Sequence, residues 1–293
     1  RMVSKKVEEA RKLIAGTIGA EASEIYFTSG GSESDNWAIK KIMISRMNKG
    51  KHMITTKVEH HAVLESCKYL ESLGFEVTYL NVNEDGLIDL NELESSIRED
   101  TILVSIMAAN NEIGTLMPLK EIGSICKKHK VLFHTDAVQA YGNIPIDVNE
   151  MNIDLLSTSA HKIEGPKGIG FLYVRKGVMI TPLISGGMQE KGKRAGTTNA
   201  AGIIGFAKAA ELKFSEIKKN NELEEKSIQQ VNEALGQPVI EEKEFVLKSV
   251  NDKKDLLLKV SDQIFDYAEV GFREFKTAKL FEEDLNQEGF QVE

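Results

Sequence analysis

The sequence predicts an α/β fold in which a predominantly parallel sheet lies between helices. Two observations predict it. Short apolar runs of strand type alternate with longer segments of helical spacing from residue 3 to residue 174. Polar, chemistry-bearing residues gather just after the strands, where open parallel sheets bind ligands. Composition agrees, since 41% hydrophobic and 28% charged residues are those of an ordinary globular protein.

In chain order, a helix is expected from Val3 to about Ala15. A strand at Ile25–Thr28 leads into Ser29-Gly30-Gly31-Ser32-Glu33-Ser34-Asp35-Asn36 and then a helix from about Trp37 to Met47. Strand, Gly/Ser turn, helix is the arrangement in which backbone N–H groups and the helix dipole hold a phosphate. The turn matches neither G-x-G-x-x-G nor G-K-[ST], which argues against a nucleoside triphosphate, and Ser and Asp at a helix start also serve simply as caps. Strands follow at His52–Thr56, Glu76–Leu80, Ile102–Met107, Val131–His134 and Leu155–Ser157, with helices near Ala62–Leu73, Leu90–Ile97 and Leu119–Lys128. After Leu155–Ser157 comes a polar turn, Thr158 to Lys162, and a glycine-rich return into Phe171–Val174. A lysine at the end of an apolar strand can be desolvated until its amine is nucleophilic, as a Schiff-base lysine must be.

The net charge of −8 is uneven. Residues 222–293 hold 18 acidic and 9 basic side chains, whereas residues 1–221 hold 27 and 28. Two differently composed segments therefore meet near residue 221. No apolar run has the length of a membrane span and no signal-peptide core opens the sequence, so a cytoplasmic protein without membrane partners is expected. Two cysteines, Cys67 and Cys126, make neither a disulfide framework nor a metal motif, and no basic stripe interleaved with aromatics suggests nucleic acid.

Five strand ends carry the informative residues: Gly30-Gly31-Ser32, Glu59-His60, Asn110-Asn111-Glu112, Asp136 to Gln139, and Ser159 to Lys162. A lysine amine, a phosphate-holding turn, an aspartate after a strand and an imidazole are the parts of a pyridoxal phosphate site. There a buried carboxylate keeps the pyridine nitrogen protonated so that the ring accepts electrons. Asp136 is the candidate, with a helix cap before Ala137 as its plain alternative. His60, His61, His134 and Asp136 also suit a first-row metal by type, but the cofactor accounts for them better.

Six motifs, Thr28 to Asn36, Glu59 to Val63, Asn110 to Thr115, His134 to Gln139, Ser159 to Lys162, and Gly186 to Asn199, together resemble the pyridoxal-phosphate-dependent cysteine desulfurases of the NifS/IscS type, within the class V aminotransferases. The resemblance covers residues 1–221. It implies the large domain of the aspartate-aminotransferase-like fold, on a mainly parallel seven-stranded sheet. It also implies that Lys162 is the Schiff-base lysine, that Asp136 pairs with the pyridine nitrogen, and that His60 stacks on the ring and moves protons. Asn111 and Gln139 would hold the phenolate oxygen; Gly31, Ser32, Ser159 and His161 would hold the phosphate. Thr197 would reach the phosphate of a partner subunit, which implies a homodimer. The implied reaction takes L-cysteine to L-alanine and delivers persulfide sulfur to an iron–sulfur scaffold or another acceptor protein.

Desulfuration also needs a cysteine thiolate to take the sulfur. In the family that residue lies in a loop beyond the Arg-x-Gly-Thr segment, and here no cysteine follows Cys126. The family's opening strand, substrate-carboxylate arginine and small second domain are likewise not found. Full activity is therefore expected to be impaired, with a noncatalytic or misjoined fragment, or residual lyase or transaminase chemistry, as alternatives. Residues 222–245 are read as a linker. Val246 to Glu293 is read as a helical segment resembling the start of an aminoacylase-type metal-dependent amidohydrolase or peptidase, with no histidine or cysteine of its own. Cys126, beside Ile122 and Ile125 on a helix, and Cys67 are read as buried structural thiols.

Overall fold

The computed structural model describes residues 2–235, with side chains to residue 219. The chain divides into two compact units, Arg1–Lys219 and Asn220–Glu293, and the first holds the sheet. Its strands are β1 (Ile25–Thr28), β2 (His52–Thr56), β3 (Glu76–Leu80), β4 (Thr101–Ser105), β5 (Leu132–Asp136), β6 (Leu155–Ser157) and β7 (Gly170–Val174). Their order across the sheet is β1-β7-β6-β5-β4-β2-β3. All neighbours are parallel except β7, which runs antiparallel to both β1 and β6. The expected mainly parallel, seven-stranded α/β sheet is what forms.

The helices are α1 (Met2–Gly16), α2 (Gly31–Ser45), α3 (His61–Ser72), α4 (Leu90–Ser96), α5 (Leu119–His129) and α6 (Ala200–Leu235). Adjacent strand residues point to opposite faces and split the core in two. Ile54, Val104, Phe133, Leu156 and Phe171 pack with α1, α5 and the first turns of α6. Met53, Leu103, Leu155 and Leu172 pack with Trp37, Ile39 and Ile42 of α2 and with Val63, Cys67 and Leu70 of α3. Both faces are covered, which is why the central strands β2, β4, β6 and β7 are buried at every residue.

On the α1 side an aromatic cluster joins distant segments. The Tyr141 ring meets Phe171, Phe206 and Phe214 with centroids at 5.4, 5.9 and 5.4 Å, and its hydroxyl bonds Thr17 Oγ1 at 2.8 Å. Helix α6 continues through residues 222–235, the first part of the stretch read as a linker. The segment at 246–293 read as helical lies outside the described residues.

Two boundaries differ from the sequence reading and both bear on the site. Helix α2 begins at Gly31, six residues before Trp37. Ser32 to Asn36 are therefore its first turns, rather than a loop ahead of it. Gly30 precedes it at φ 152°, a conformation that L side chains rarely adopt. Strand β5 extends to Asp136, so that carboxylate is its last residue.

Candidate active site

Parallel strands deliver their carboxyl ends to one edge of the sheet, and β1 points the same way because β7 reverses between it and β6. At that edge lies a cavity of about 240 Å³. Gly31 and Ser32 reach it from the start of α2, His60 from the turn before α3, Asn111 from beyond β4, Asp136 and Gln139 from the end of β5, and Ser159, His161 and Lys162 from the turn after β6. Nine of the ten site residues expected from sequence thus line one cavity. The tenth, Thr197, is exposed and lies outside it, on a loop tied to the first turn of α2 by an Arg194–Glu33 ion pair. Residues not singled out for the site from sequence also line it: Asp35, Met107, Ala109 and Val138.

The cavity is graded from wet to dry. Ser32, His60, Asn111, His161 and Lys162 are exposed, whereas Gly31, Asp35, Asp136 and Ser159 are buried. The burial anticipated for Lys162 is therefore not met, because the strand ends two residues before the turn lifts the side chain toward solvent.

Each side chain is placed by its own segment. Asn110 and Asn111 are adjacent but divide the labour. Buried Asn110 accepts the N–H groups of Glu112 and Ile113 at 2.9 and 3.1 Å and donates to the Val58 carbonyl at 3.1 Å, which builds the turn that offers Asn111 to the cavity. His60 caps α3, its Nδ1 accepting the Ala62 N–H at 3.1 Å. A lone pair engaged in this way leaves the proton of the neutral ring on Nε2. Ser159 Oγ and His161 Nδ1 are 2.8 Å apart. The His161 pKa is lowered by partial burial and by the neighbouring cations Lys162 and Lys167.

Asp136 is no helix cap. Its Oδ1 accepts the Val138 N–H at 2.9 Å in a tight turn after β5. Burial raises its pKa, against the opposing pull of the Val138 N–H, His60 and Lys162. Beneath it, His134 is clasped between the Ser105 hydroxyl at 2.8 Å and the Ser157 hydroxyl at 2.9 Å, and burial lowers its pKa to about 3. A neutral imidazole that bonds two hydroxyls belongs to the scaffold, so His134 is not a metal ligand. Glu59 accepts from Thr56 Oγ1 at 2.8 Å and the Met107 N–H at 3.0 Å; burial pushes its pKa up to about 8.

The thiols are inert. Cys67 packs on the Met53 sulfur at 3.9 Å and Cys126 is 1% exposed; burial raises both, Cys126 to about 12. Both are buried structural cysteines, as their helix positions suggested.

A lysine amine, a buried carboxylate at the far end and a glycine turn rich in donors define the pocket of a pyridoxal phosphate protein. Asp136 supplies a buried acid for a ring nitrogen. Gly31 opens α2, so its N–H has no partner within the helix, and a Cβ there would stand 2.5 Å from Val138 Cγ2. The residues present therefore fit the cofactor.

The chain belongs to the aminotransferase class-V family, which matches residues 1–271 and is pyridoxal-phosphate dependent. It is 60% identical over 212 residues to a cysteine desulfurase IscS of Methanosarcina thermophila, covering 72% of this chain and 52% of that protein. It is 50% identical over 252 residues to a mitochondrial cysteine desulfurase of Candida albicans, covering 85% and 51%. Among solved structures, a NifS-like protein aligns at 46% identity with a TM-score of 0.73, over 74% of this chain and 60% of that one. SspA in complex with cysteine aligns at 47% with a TM-score of 0.70, over 72% and 61%. The chain spans about half the length of the curated relatives it matches.

Proposed function

We propose that this chain carries the cofactor half of a cysteine desulfurase, a cytoplasmic homodimeric enzyme that takes L-cysteine to L-alanine and hands sulfur to an iron–sulfur scaffold or another acceptor protein. The observation that carries the reading is the convergence of Lys162, Asp136, His60, Asn111, Gln139 and the phosphate-type turn on one cavity. The identities to desulfurases and the alignment with a cysteine complex support the substrate. No helix among the described residues is long and apolar enough to cross a membrane.

Bound in the cavity, pyridoxal phosphate would supply the electron sink that lets the Cα–H bond of an amino acid break. The chain's own residues do the rest. Lys162 would hold the cofactor through its amine and, once a substrate amine has displaced it, take up the Cα proton at Nζ. Asp136 would hold the ring nitrogen by a charge-assisted hydrogen bond. Asn111 and Gln139 would orient the phenolate oxygen, and the Gly31 N–H, Ser32, Ser159 and His161 would hold the phosphate. His60 would lie against the ring and move a proton at Nε2. Thr197, exposed on its loop, would reach the phosphate of a partner subunit.

Sulfur transfer needs a thiolate that meets the substrate, and neither buried thiol of this chain qualifies. A second reading is residual lyase or transaminase chemistry, which needs no such thiol. The aminoacylase-like character of residues 246–293 is a separate proposal, that two coding segments have been joined. A continuous, genuine source DNA sequence across codons 215–250 overturns it.

The test of the main reading is the visible spectrum after incubation with pyridoxal phosphate and desalting, beside Lys162→Ala. A retained band that shifts with L-cysteine, and is lost or altered in the variant, supports it. A parent protein that retains no band overturns it.

A further inference from the structure

Asp35 lies in the second turn of α2, in a stretch that reads from sequence as caps. Its side chain instead enters the buried end of the cavity and is 1% exposed. A carboxyl oxygen of Asp35, one of Asp136 and a ring nitrogen of His60 lie within 4.8 Å of one another. The Asp35 Oδ1 has no hydrogen-bond partner, and the nearest basic atom, His134 Nε2 at 3.6 Å, is already engaged by the Ser157 hydroxyl.

Two carboxyls this close and this buried do not both ionise, since each charge raises the cost of the other. The surroundings decide which one keeps the proton. Asp136 receives the Val138 N–H and faces the Lys162 cation and His60. Asp35 shares the nearby His60 ring but otherwise faces a histidine held neutral, the Ser157 hydroxyl, Asp136 itself and, further off, Glu59, with no lysine beside it and no backbone N–H donating to it among the described residues. Burial, with the charge of Asp136 added, raises the Asp35 carboxyl well above the ordinary range.

We propose that Asp35 is a neutral carboxylic acid that confines the cavity's negative charge to Asp136, and so acts as a positioning residue for the acid that meets the ring nitrogen. A neutral neighbour leaves one anion for one ring proton and gives Asp136 a polar group to face. An ionised neighbour would put two anions there, and an apolar one would hinder Asp136 from ionising. This rests on the reading that the cavity takes pyridoxal phosphate.

The experiment begins without cofactor, which separates failure of this inference from failure of that reading. In infrared difference spectra of the full chain at about pH 7, parent minus Asp35→Asn is expected to show a protonated carboxyl stretch, and parent minus Asp136→Asn an ionised one. An ionised band lost with Asp35, or a protonated band lost with Asp136, overturns the assignment. Should Asp35→Asn fail to fold, the parent labelled with ¹³C at the aspartate carboxyl carbons answers alone. The resonance assigned to Asp35 must stay protonated well above the ordinary carboxylate range, and titration of Asp35 within that range overturns the proposal.

Cofactor binding gives the second readout. Asp35→Asn, which keeps a neutral donor, should hold pyridoxal phosphate within about threefold of the parent, and Asp35→Leu should weaken it by about tenfold or more. Equal loss in both variants would mean that the charge of Asp35 is what matters, and would overturn its role as a neutral acid.

Discussion

The guanidinium of Arg194 forks onto Glu33, Nε to Oε1 at 2.8 Å and a terminal nitrogen to Oε2 at 3.0 Å. The same carboxylate accepts the Ser29 N–H at 2.8 Å. Burial alone would raise the Glu33 pKa, but the fork and this N–H hold it below the usual range. Through this pair the loop that bears Thr197 is fastened to the turn that bears Ser32. Arg194→Ala leaves a mostly buried carboxylate unpaired and should destabilise the chain by about 1–3 kcal/mol. Urea unfolding of a double-mutant cycle with Glu33→Ala checks it, and the double variant should lose less than the sum of the two singles.

Gly31 is matched to Val138. A methyl at residue 31 meets Val138 Cγ2 at 2.5 Å and pushes the turn after β5 away from the start of α2. Gly31→Ala should weaken pyridoxal phosphate retention by about tenfold, and Val138→Ala in the same chain should restore most of it. Titration of the visible band in the four proteins reads the coupling; equal affinities throughout would remove it.

Glu59 makes stability depend on pH with a definite sign. Its folded pKa is about 8, above the unfolded value near 4.3, so its contribution is complete at low pH and lost as pH rises through 8. Melting temperatures taken from about pH 5 to 9 should fall more steeply in the parent than in Glu59→Gln, whose amide oxygen still accepts from Thr56 and Met107. Parallel slopes would show that Glu59 is ionised throughout.

His60 serves two purposes that substitution separates. His60→Ala removes the cap of α3 and should cost about 0.5–2 kcal/mol of stability, whereas His60→Asn keeps a capping acceptor. Both should slow the spectral change with L-cysteine by about a hundredfold or more, since neither side chain can move a proton. Stopped-flow absorbance beside thermal melts distinguishes the two effects.

Cys67 and Cys126 should resist a water-soluble aromatic disulfide reagent in the native chain, and both should react once it is unfolded. Rapid labelling of either in the native protein would place a thiol within reach of solvent.

Much of this was legible in the sequence, for identifiable reasons. Asp136, Ser159 and Lys162 sit at the ends of short apolar runs, so period and polarity alone placed them on one edge of a sheet. Asn111 and Gln139 were placed at strand ends by the same pattern, but their role needed the family resemblance, because an amide after a strand also suits an ordinary turn. Asp35 was missed because an aspartate near a helix start has a cheap local explanation, and only the true start at Gly31 carries it inward. The fit of Val138 over Gly31 depends on segments more than a hundred residues apart. So does the reversal of β7, since an apolar run of five residues has no direction.

That reversal sets a timetable for synthesis. Ile25 pairs with Tyr173, and β7 stands between β1 and the rest of the sheet. As the chain leaves the ribosome, β1 has no strand to pair with until residue 174 has emerged, whereas β2 to β6 can already assemble with α2 packed on them. The β1 edge of the sheet is therefore completed last, when a strand made early meets one made about 150 residues later.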